Sequence, residues 1–161
     1  MAENGAVVYA FEPNPWAFAE LDRALGGRDT VHLREAAVGA REARVELFLH
    51  RHHADGEVAW SAGSSIFAEK PNVSTDSVTV DVVDLPAFIA GLPAAPALLK
   101  IDVEGSEIEL LNALHERGLL VTIRAVLVEM HDRKIAELAE PGARLRRLVA
   151  AQYPNVRLDW Q

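Results

Sequence analysis

The segment Leu98–Leu111 reads LLKIDVEGSEIELL and places four acids within eight residues, directly after an apolar run. The run before Asp102 is typical of a buried strand, and Gly105 indicates a turn. From Ser106 onward, apolar side chains recur at helical spacing. A strand, a turn and an amphipathic helix in this order predict one unit of a parallel, helix-covered sheet.

The helix itself explains two of the four acids. Ser106 and Glu109 have the spacing of a capping box, in which each side chain satisfies a backbone N–H of the first turn. Glu107 and Glu109 both lie in that turn, where a negative charge complements the helix dipole. We therefore expect a structural role for both glutamates, with each stabilising the helix by a few tenths to about 1 kcal/mol.

Strands and helices alternate along the rest of the chain. Further strands are predicted at Ala6–Phe11, Val31–Ala37, Ala43–His50 and Ser77–Val83, in the segments VTIRAVLVEM and NVRLDW, and less clearly at Val58–Trp60. Helices are predicted after Asn14-Pro15, after Asp84 and over Arg144–Ala151. Because residues 43–83 carry no helical pattern, we expect them to form an antiparallel insertion or edge of a mostly parallel sheet.

The composition narrows the class of protein. A chain of 161 residues that is half apolar and one quarter charged is typical of a single globular domain. Its net charge of -8 argues against nucleic-acid and anionic-membrane partners. The absence of cysteine excludes disulfides and a cysteine nucleophile and fits a reducing compartment. Because the N-terminal residues do not resemble a signal peptide, we expect a cytoplasmic protein.

Three of the predicted strands end in acids. Asp102 and Glu104 follow the strand of the opening segment, Glu129 and His131 end the strand in VTIRAVLVEM, and Glu12 follows the first strand. In open α/β sheets, ligands bind at the carboxyl ends of the strands. The sequence therefore predicts that the carboxylates of Glu12, Asp102 and Glu129 surround a single cleft.

These side chains allow more than one kind of chemistry. A carboxylate one position past a strand can accept two hydrogen bonds from a ribose diol, which suits Glu12. Glu104, Glu129 and His131 could hold a hydroxyl and take its proton, because imidazole titrates near neutral pH. The same three residues with Asp102 could instead bind a hard divalent cation. Since the spacings D-x-E and E-x-H are weak metal signals, we expect no resident metal.

Six stretches of the sequence together resemble the FkbM-type family of S-adenosylmethionine-dependent methyltransferases. They occur in the family's order at 7–21 (VVYAFEPNPWAFAEL), 34–39 (REAAVG), 63–67 (GSSIF), 78–85 (VTVDVVDL), 98–111 (LLKIDVEGSEIELL) and 126–131 (VLVEMH). The resemblance implies an α/β, Rossmann-like methyltransferase fold with helices on both faces of a mostly parallel sheet. It also implies an enzyme that methylates an oxygen of a small molecule or a sugar.

The resemblance implies roles for individual residues as well. Four would contact S-adenosylmethionine: Glu12 at the ribose hydroxyls, Ala37 and Val38 at the adenine, and Asp102 near the methionine portion. Three would face the acceptor substrate: Glu104, Glu129 and His131. No metal is implied at either place.

The sequence departs from the family pattern at its N-terminus. The family has a glycine-rich loop, similar to D-x-G-A-N-x-G, whose backbone approaches the methionine end of the cofactor, and only glycine permits that closeness. No such stretch occurs here. We therefore expect residues 1–161 to form one methyltransferase-like domain that is incomplete at the N-terminus and short at the C-terminus, with much reduced cofactor affinity.

The family's first strand, which precedes the glycine-rich loop, is also missing, and its loss leaves several alternatives open. In the usual strand order 3-2-1-4-5 it is the central strand, so its loss leaves backbone groups unpaired at about 1–3 kcal/mol each. The strands at 6–11 and 97–102 could pair directly, another polypeptide could supply the strand, or the chain could be a fragment, which we favour. The alternative function is a catalytically inactive module that binds a partner or forms a homo-oligomer through the opened sheet edge.

Overall fold

A computed structural model describes residues 5–50 and 73–160 of the chain. The chain divides into two compact units: unit 1 is Met1–Val38 and Ala43–Val82, and unit 2 is Gly39–Glu42 and Val83–Gln161. The strand predicted at Val58–Trp60 and the segment GSSIF lie outside the described residues.

Unit 1 begins with a parallel βαβ motif. Its elements are β1 (Val8–Phe11), α1 (Pro15–Leu25) and β2 (Val31–Arg34). Asn14 caps α1 as predicted, since its Oδ1 atom accepts the N–H groups of Trp16 at 3.0 Å and Ala17 at 3.3 Å. The short apolar run Ala6–Phe11 predicts a buried strand, and this prediction is wrong. Tyr9 is 40% exposed, and β2 is the one neighbour of β1 among the described strands.

A three-stranded sheet follows, in the order β3-β5-β4. It comprises β3 (Ala37–Gly39), β4 (Ala43–His50) and β5 (Val73–Asp84). The antiparallel pairing of β4 with β5 agrees with the antiparallel insertion or edge predicted for residues 43–83. The single strand predicted at Val31–Ala37 is instead split, because the chain bends at Glu35 and Ala36 and then joins a different sheet.

Unit 2 contains a parallel sheet in the order β6-β7-β8. The elements are α2 (Leu85–Ala90), β6 (Leu99–Ile101), α3 (Glu107–Glu116), β7 (Val126–Val128), a 3-10 turn (Ala136–Leu138), α4 (Ala139–Gln152) and β8 (Val156–Leu158). Asp84 caps α2 as predicted, with Oδ1 accepting the N–H of Ala87 at 2.7 Å. The strand predicted over VTIRAVLVEM is much shorter, because the chain forms turns before Val126.

The helix α3 and the strand β7 contribute fully buried side chains to the core of unit 2. Side chains from both elements are fully buried: Leu110, Leu111, Leu114, Val126 and Val128. The predicted capping box at the start of α3 is wrong. Ser106 has φ -88° and ψ 3°, outside the extended conformation of most N-caps, and its side chain makes no capping hydrogen bond. Glu109 is exposed.

The mixed α/β architecture with parallel sheets and helices is confirmed. The parallel strands lie in two sheets rather than the single sheet predicted, and β1 and β6 belong to different ones. The alternative in which these two strands pair directly is therefore wrong for the described residues. Within those residues, no helix has the length and apolar character needed to cross a bilayer.

Candidate active site around His131

The adjacent carboxyl ends of β6 and β7 build the candidate site. These strands are parallel and in register, with Ile101 opposite Val128, so both strands end at the same edge of the sheet. The N–H of Glu129 donates to the carbonyl oxygen of Ile101 at 2.9 Å and extends the pairing by one residue. The segment Asp102–Glu104 and the segment Glu129–His131 are therefore neighbours, as the sequence predicted for these two strands.

A buried imidazole stands at the centre of this edge. The side chain of His131 is 1% exposed. Its Nδ1 atom lies 2.8 Å from Oε1 of Glu107, and its Nε2 atom lies 3.2 Å from Oε2 of Glu104. Oε1 of Glu129 is 3.7 Å from the same Nε2 atom. Three carboxylates thus surround one ring, one at Nδ1 and two at Nε2.

The surroundings of His131 act on its pKa in opposite directions. Burial alone disfavours the charged ring and lowers the pKa. The hydrogen bond to Glu107, the charge of Glu107 and the charge of Glu104 raise it, while Lys134 opposes them. The carboxylates prevail, so the pKa of His131 lies above its ordinary value of 6.5. Such a group can exchange a proton near neutral pH.

Glu104 reaches His131 from a strained backbone. Its φ is +55°, a left-handed conformation that costs a non-glycine residue roughly 1–3 kcal/mol, and Gly105 follows at φ +128°. Asp102 is exposed at the same edge, where its Oδ2 atom accepts a hydrogen bond from Nζ of Lys100 at 3.3 Å. One ligand atom each from Asp102, Glu104 and His131 lie within 4.8 Å of one another, so this trio could surround a divalent cation.

The other predicted site residues lie in unit 1. Glu12 is half-buried after β1, and its Oε1 atom accepts the N–H of Asn14 at 2.8 Å. Ala37 and Val38 are half-buried at the start of β3. The structure brings together Asp102, Glu104, Glu129 and His131 within unit 2. The single cleft that would include Glu12 stays a prediction.

A family model for the methyltransferase FkbM domain matches residues 1–153. The chain belongs to the FkbM methyltransferase family. No curated protein and no solved structure matches it. The family match supports methyl transfer as the general activity of this FkbM domain.

Sequence reasoning missed one residue at the centre of this FkbM domain's site. Glu107 was expected to serve the helix dipole, yet it is 0% exposed and contacts His131 directly. Its Oε1 atom also accepts the N–H of Gly105 at 3.0 Å, whereas Oε2 is buried and has no hydrogen-bond partner among the described residues. The helical repeat could have revealed this, because positions 107, 111 and 114 fall on one face and Leu111 and Leu114 are core residues.

A second charged cluster fixes the segment after His131. Asp132 is buried and accepts two hydrogen bonds from Arg146 of α4, at 3.0 Å from Nε and 2.8 Å from Nη2. Arg146 also binds Asp159 after β8. The hydrogen bonds from Arg146 hold the pKa of both aspartates below its usual range. The arrangement ties α4 and the end of the chain to the residue next to His131.

Proposed function

We propose that this FkbM domain is an S-adenosylmethionine-dependent methyltransferase whose acceptor is an oxygen of a small molecule or a sugar. The observation that carries the proposal is the buried His131 ring, surrounded by carboxylates at the shared carboxyl end of β6 and β7. The parallel crossovers β1-α1-β2 and β6-α3-β7-α4-β8 support a Rossmann-like arrangement. The cytoplasmic location stays a prediction from composition.

The chemistry needs little more than alignment and a proton acceptor. The cofactor supplies a methyl group that its positively charged sulfur already activates. The acceptor hydroxyl would give up its proton as its oxygen takes the methyl group, and the cofactor would leave as the neutral thioether S-adenosylhomocysteine. Nε2 of His131 accepts that proton, and Glu104 and Glu129, which face the acceptor, stabilise the imidazolium that forms. Asp102 would lie near the methionine portion of the bound cofactor.

The cofactor roles assigned in unit 1 are part of the same proposal. Glu12 binds the ribose hydroxyls, and Ala37 and Val38 border the adenine. A carboxylate just past a parallel strand suits a ribose diol, and Glu12 is half-buried at that position after β1.

Replacing His131 tests the mechanism. We expect His131→Gln to lower turnover about 10²–10⁴-fold, the usual contribution of a general base, while the calorimetric affinity for S-adenosylmethionine stays the same. Turnover is followed as release of S-adenosylhomocysteine with a panel of hydroxylated small molecules and sugars. The matched control is His32→Gln, since His32 is exposed on β2 in unit 1.

The outcomes separate the two functions considered above. Equal turnover by His131→Gln and the parent would remove His131 from the mechanism. No heat with millimolar S-adenosylmethionine or S-adenosylhomocysteine would contradict the enzyme proposal and favour an inactive binding module.

A further inference from the structure

We propose that Glu107 is a positioning residue that holds the Nδ1–H of His131 and thereby presents the unprotonated Nε2 atom to the acceptor. The inference rests on the proposed function, in which Nε2 takes the proton of the acceptor hydroxyl. The sequence pattern explains Glu107 only as an acid in the first turn of α3, whereas this inference gives it a role at the site.

The contact with Glu107 decides which ring nitrogen carries the proton. An ionised carboxylate only accepts hydrogen bonds, so the ring atom that it contacts at 2.8 Å must be an N–H donor. A neutral imidazole has one N–H group, and Nε2 is then free to accept a proton. The N–H of Gly105 binds the same oxygen of Glu107 at 3.0 Å and fixes the carboxylate against the ring.

Carboxylates on the other side of the ring compete for the same proton. Glu104 and Glu129 face Nε2 at 3.2 and 3.7 Å and would favour the opposite tautomer. Their side chains are 22% and 32% exposed, whereas Glu107 is fully buried and closer to its nitrogen. Because the attraction between charges grows as distance and local dielectric fall, Glu107 has the advantage. The charge of Lys134 acts on the ring in the direction opposite to that of Glu107 and Glu104.

The same geometry serves the step after proton transfer. Once Nε2 has taken the proton, the imidazolium donates through Nδ1 to Glu107 and faces Glu104 and Glu129 with its new N–H. Carboxylates then compensate the buried positive charge on both sides of the ring. The cost of burying an unpaired cation is thereby avoided. Glu107 therefore acts through His131 and does not itself touch the acceptor.

Nitrogen NMR of the ring tests the inference without any substrate. The full chain is labelled with ¹⁵N-histidine, and one of its six histidine spin systems is assigned to His131 by its loss in His131→Asn. Above the pKa of His131 we expect a protonated Nδ1 and an unprotonated Nε2. In Glu107→Gln, which keeps the size of the side chain and an oxygen acceptor but removes the charge, we expect the pKa of His131 to fall and the preference for a protonated Nδ1 to weaken.

A matched control lies two positions from Glu107. Glu109→Gln makes the same chemical change in the same helical turn at an exposed position, and it should leave the tautomer and pKa of His131 unchanged. A protonated Nε2 in the parent, or an unchanged His131 spectrum in Glu107→Gln, would overturn the inference. If Glu107→Gln fails to fold, the parent spectrum alone still decides which nitrogen is protonated.

Activity measurements separate this inference from the proposed function. With an acceptor in hand, Glu107→Gln should lower kcat with little change in KM and move the acidic limb of the pH profile to lower pH. The expected tautomer without turnover of any acceptor would contradict the proposed function alone. Turnover by a parent whose Nε2 is protonated would contradict the positioning role alone.

Discussion

His131 couples the protonation of one ring to the stability of the fold. Its pKa is raised in the folded protein by Glu107 and Glu104 against the effect of burial, so the folded state binds the proton more tightly than the unfolded chain. The resulting stabilisation is complete below the unfolded value, about pH 6.5, and is lost as the pH rises through the folded value.

This linkage predicts a pH-dependent difference between the parent and His131→Gln. We expect the free energy of unfolding of the parent to fall between about pH 6 and pH 9 by more than that of the variant. Urea denaturation of both proteins over this range measures the difference. Parallel pH profiles for the two proteins would show that the carboxylates do not raise the pKa of His131.

Glu12 is the residue through which unit 1 would bind the cofactor. Glu12→Gln keeps an oxygen for the N–H of Asn14, so the local turn should persist, but it removes the charge that a ribose diol prefers. Losing a charged hydrogen bond costs roughly 1.5–3 kcal/mol, so we expect the Kd for S-adenosylmethionine to rise about 10- to 100-fold. Calorimetry measures it, with Glu35→Gln as an exposed control. Unchanged affinity would exclude the role given to Glu12.

At the scale of the helix, the caps of α1 and α3 differ although both looked favourable in the sequence. Asn14 accepts two backbone N–H groups, whereas Ser106 accepts none with its side chain. We expect Asn14→Ala to lower the free energy of unfolding by about 1 kcal/mol and Ser106→Ala to change it by less than about 0.5 kcal/mol. Chemical denaturation compares them, and an equal loss in both would restore the capping box.

The helix α4 depends on a glycine where it meets Asp132. A Cβ atom on Gly142 would lie 2.4 Å from Oδ2 and 2.7 Å from Cβ of Asp132, too close for a side-chain rotation to relieve. Alanine normally gains about 1 kcal/mol over glycine within a helix, but overpacking costs about 1–3 kcal/mol and the Asp132–Arg146 pair must also move. We expect Gly142→Ala to lose about 1–2 kcal/mol of unfolding free energy in denaturation experiments.

Gly91 provides the comparison for this prediction. A Cβ atom there would meet its nearest neighbours at 3.5 Å, an ordinary contact, and its φ of -82° suits alanine. Gly91→Ala should therefore leave the free energy of unfolding within about 0.5 kcal/mol of the parent. A Gly142→Ala variant as stable as Gly91→Ala would mean that α4 can move away from Asp132 at little cost.

Over the whole molecule, the features that the sequence predicts well are the local ones. Asn14 and Asp84 cap the helices that directly follow them, and the acids after β6 and β7 meet because parallel strands in register end together. Apolar character alone predicts the backbone conformation less well. Ile123 is 1% exposed, yet it lies in a turn, because an apolar side chain indicates the core and not the backbone conformation.

The contacts that complete the site could not be found from neighbouring residues. Glu107 and His131 are 24 positions apart, and Asp132 and Arg146 are 14 apart, so each pair depends on how α3 or α4 packs against the sheet. The exposure of β1 likewise depends on which elements pack beside it, and the local sequence does not show this. The catalytic and cofactor roles of the predicted residues stay predictions that the experiments above address.

The two units also differ in how deeply their parallel sheets are buried, and this should appear in hydrogen exchange. The amides of Val8 and Glu12 in unit 1 and those of Val126 and Glu129 in unit 2 all donate to backbone carbonyls, at 2.8–3.1 Å. Because these hydrogen bonds are of similar length, we expect the difference in burial to determine the free energy of local opening at each amide. β7 is paired on both edges and its two valines are fully buried, whereas β1 is partly exposed.

We therefore expect the amides of Val126 and Glu129 to exchange at least about tenfold more slowly than those of Val8 and Glu12, and each tenfold step corresponds to about 1.4 kcal/mol. Native-state exchange followed by NMR resolves these four amides without cofactor or acceptor. Equal protection would mean that both sheets open only when the whole chain unfolds. Slower exchange in unit 2 would mean that the residues around His131 rest on the more stable part of the molecule, which suits a site whose ring must be held in one orientation.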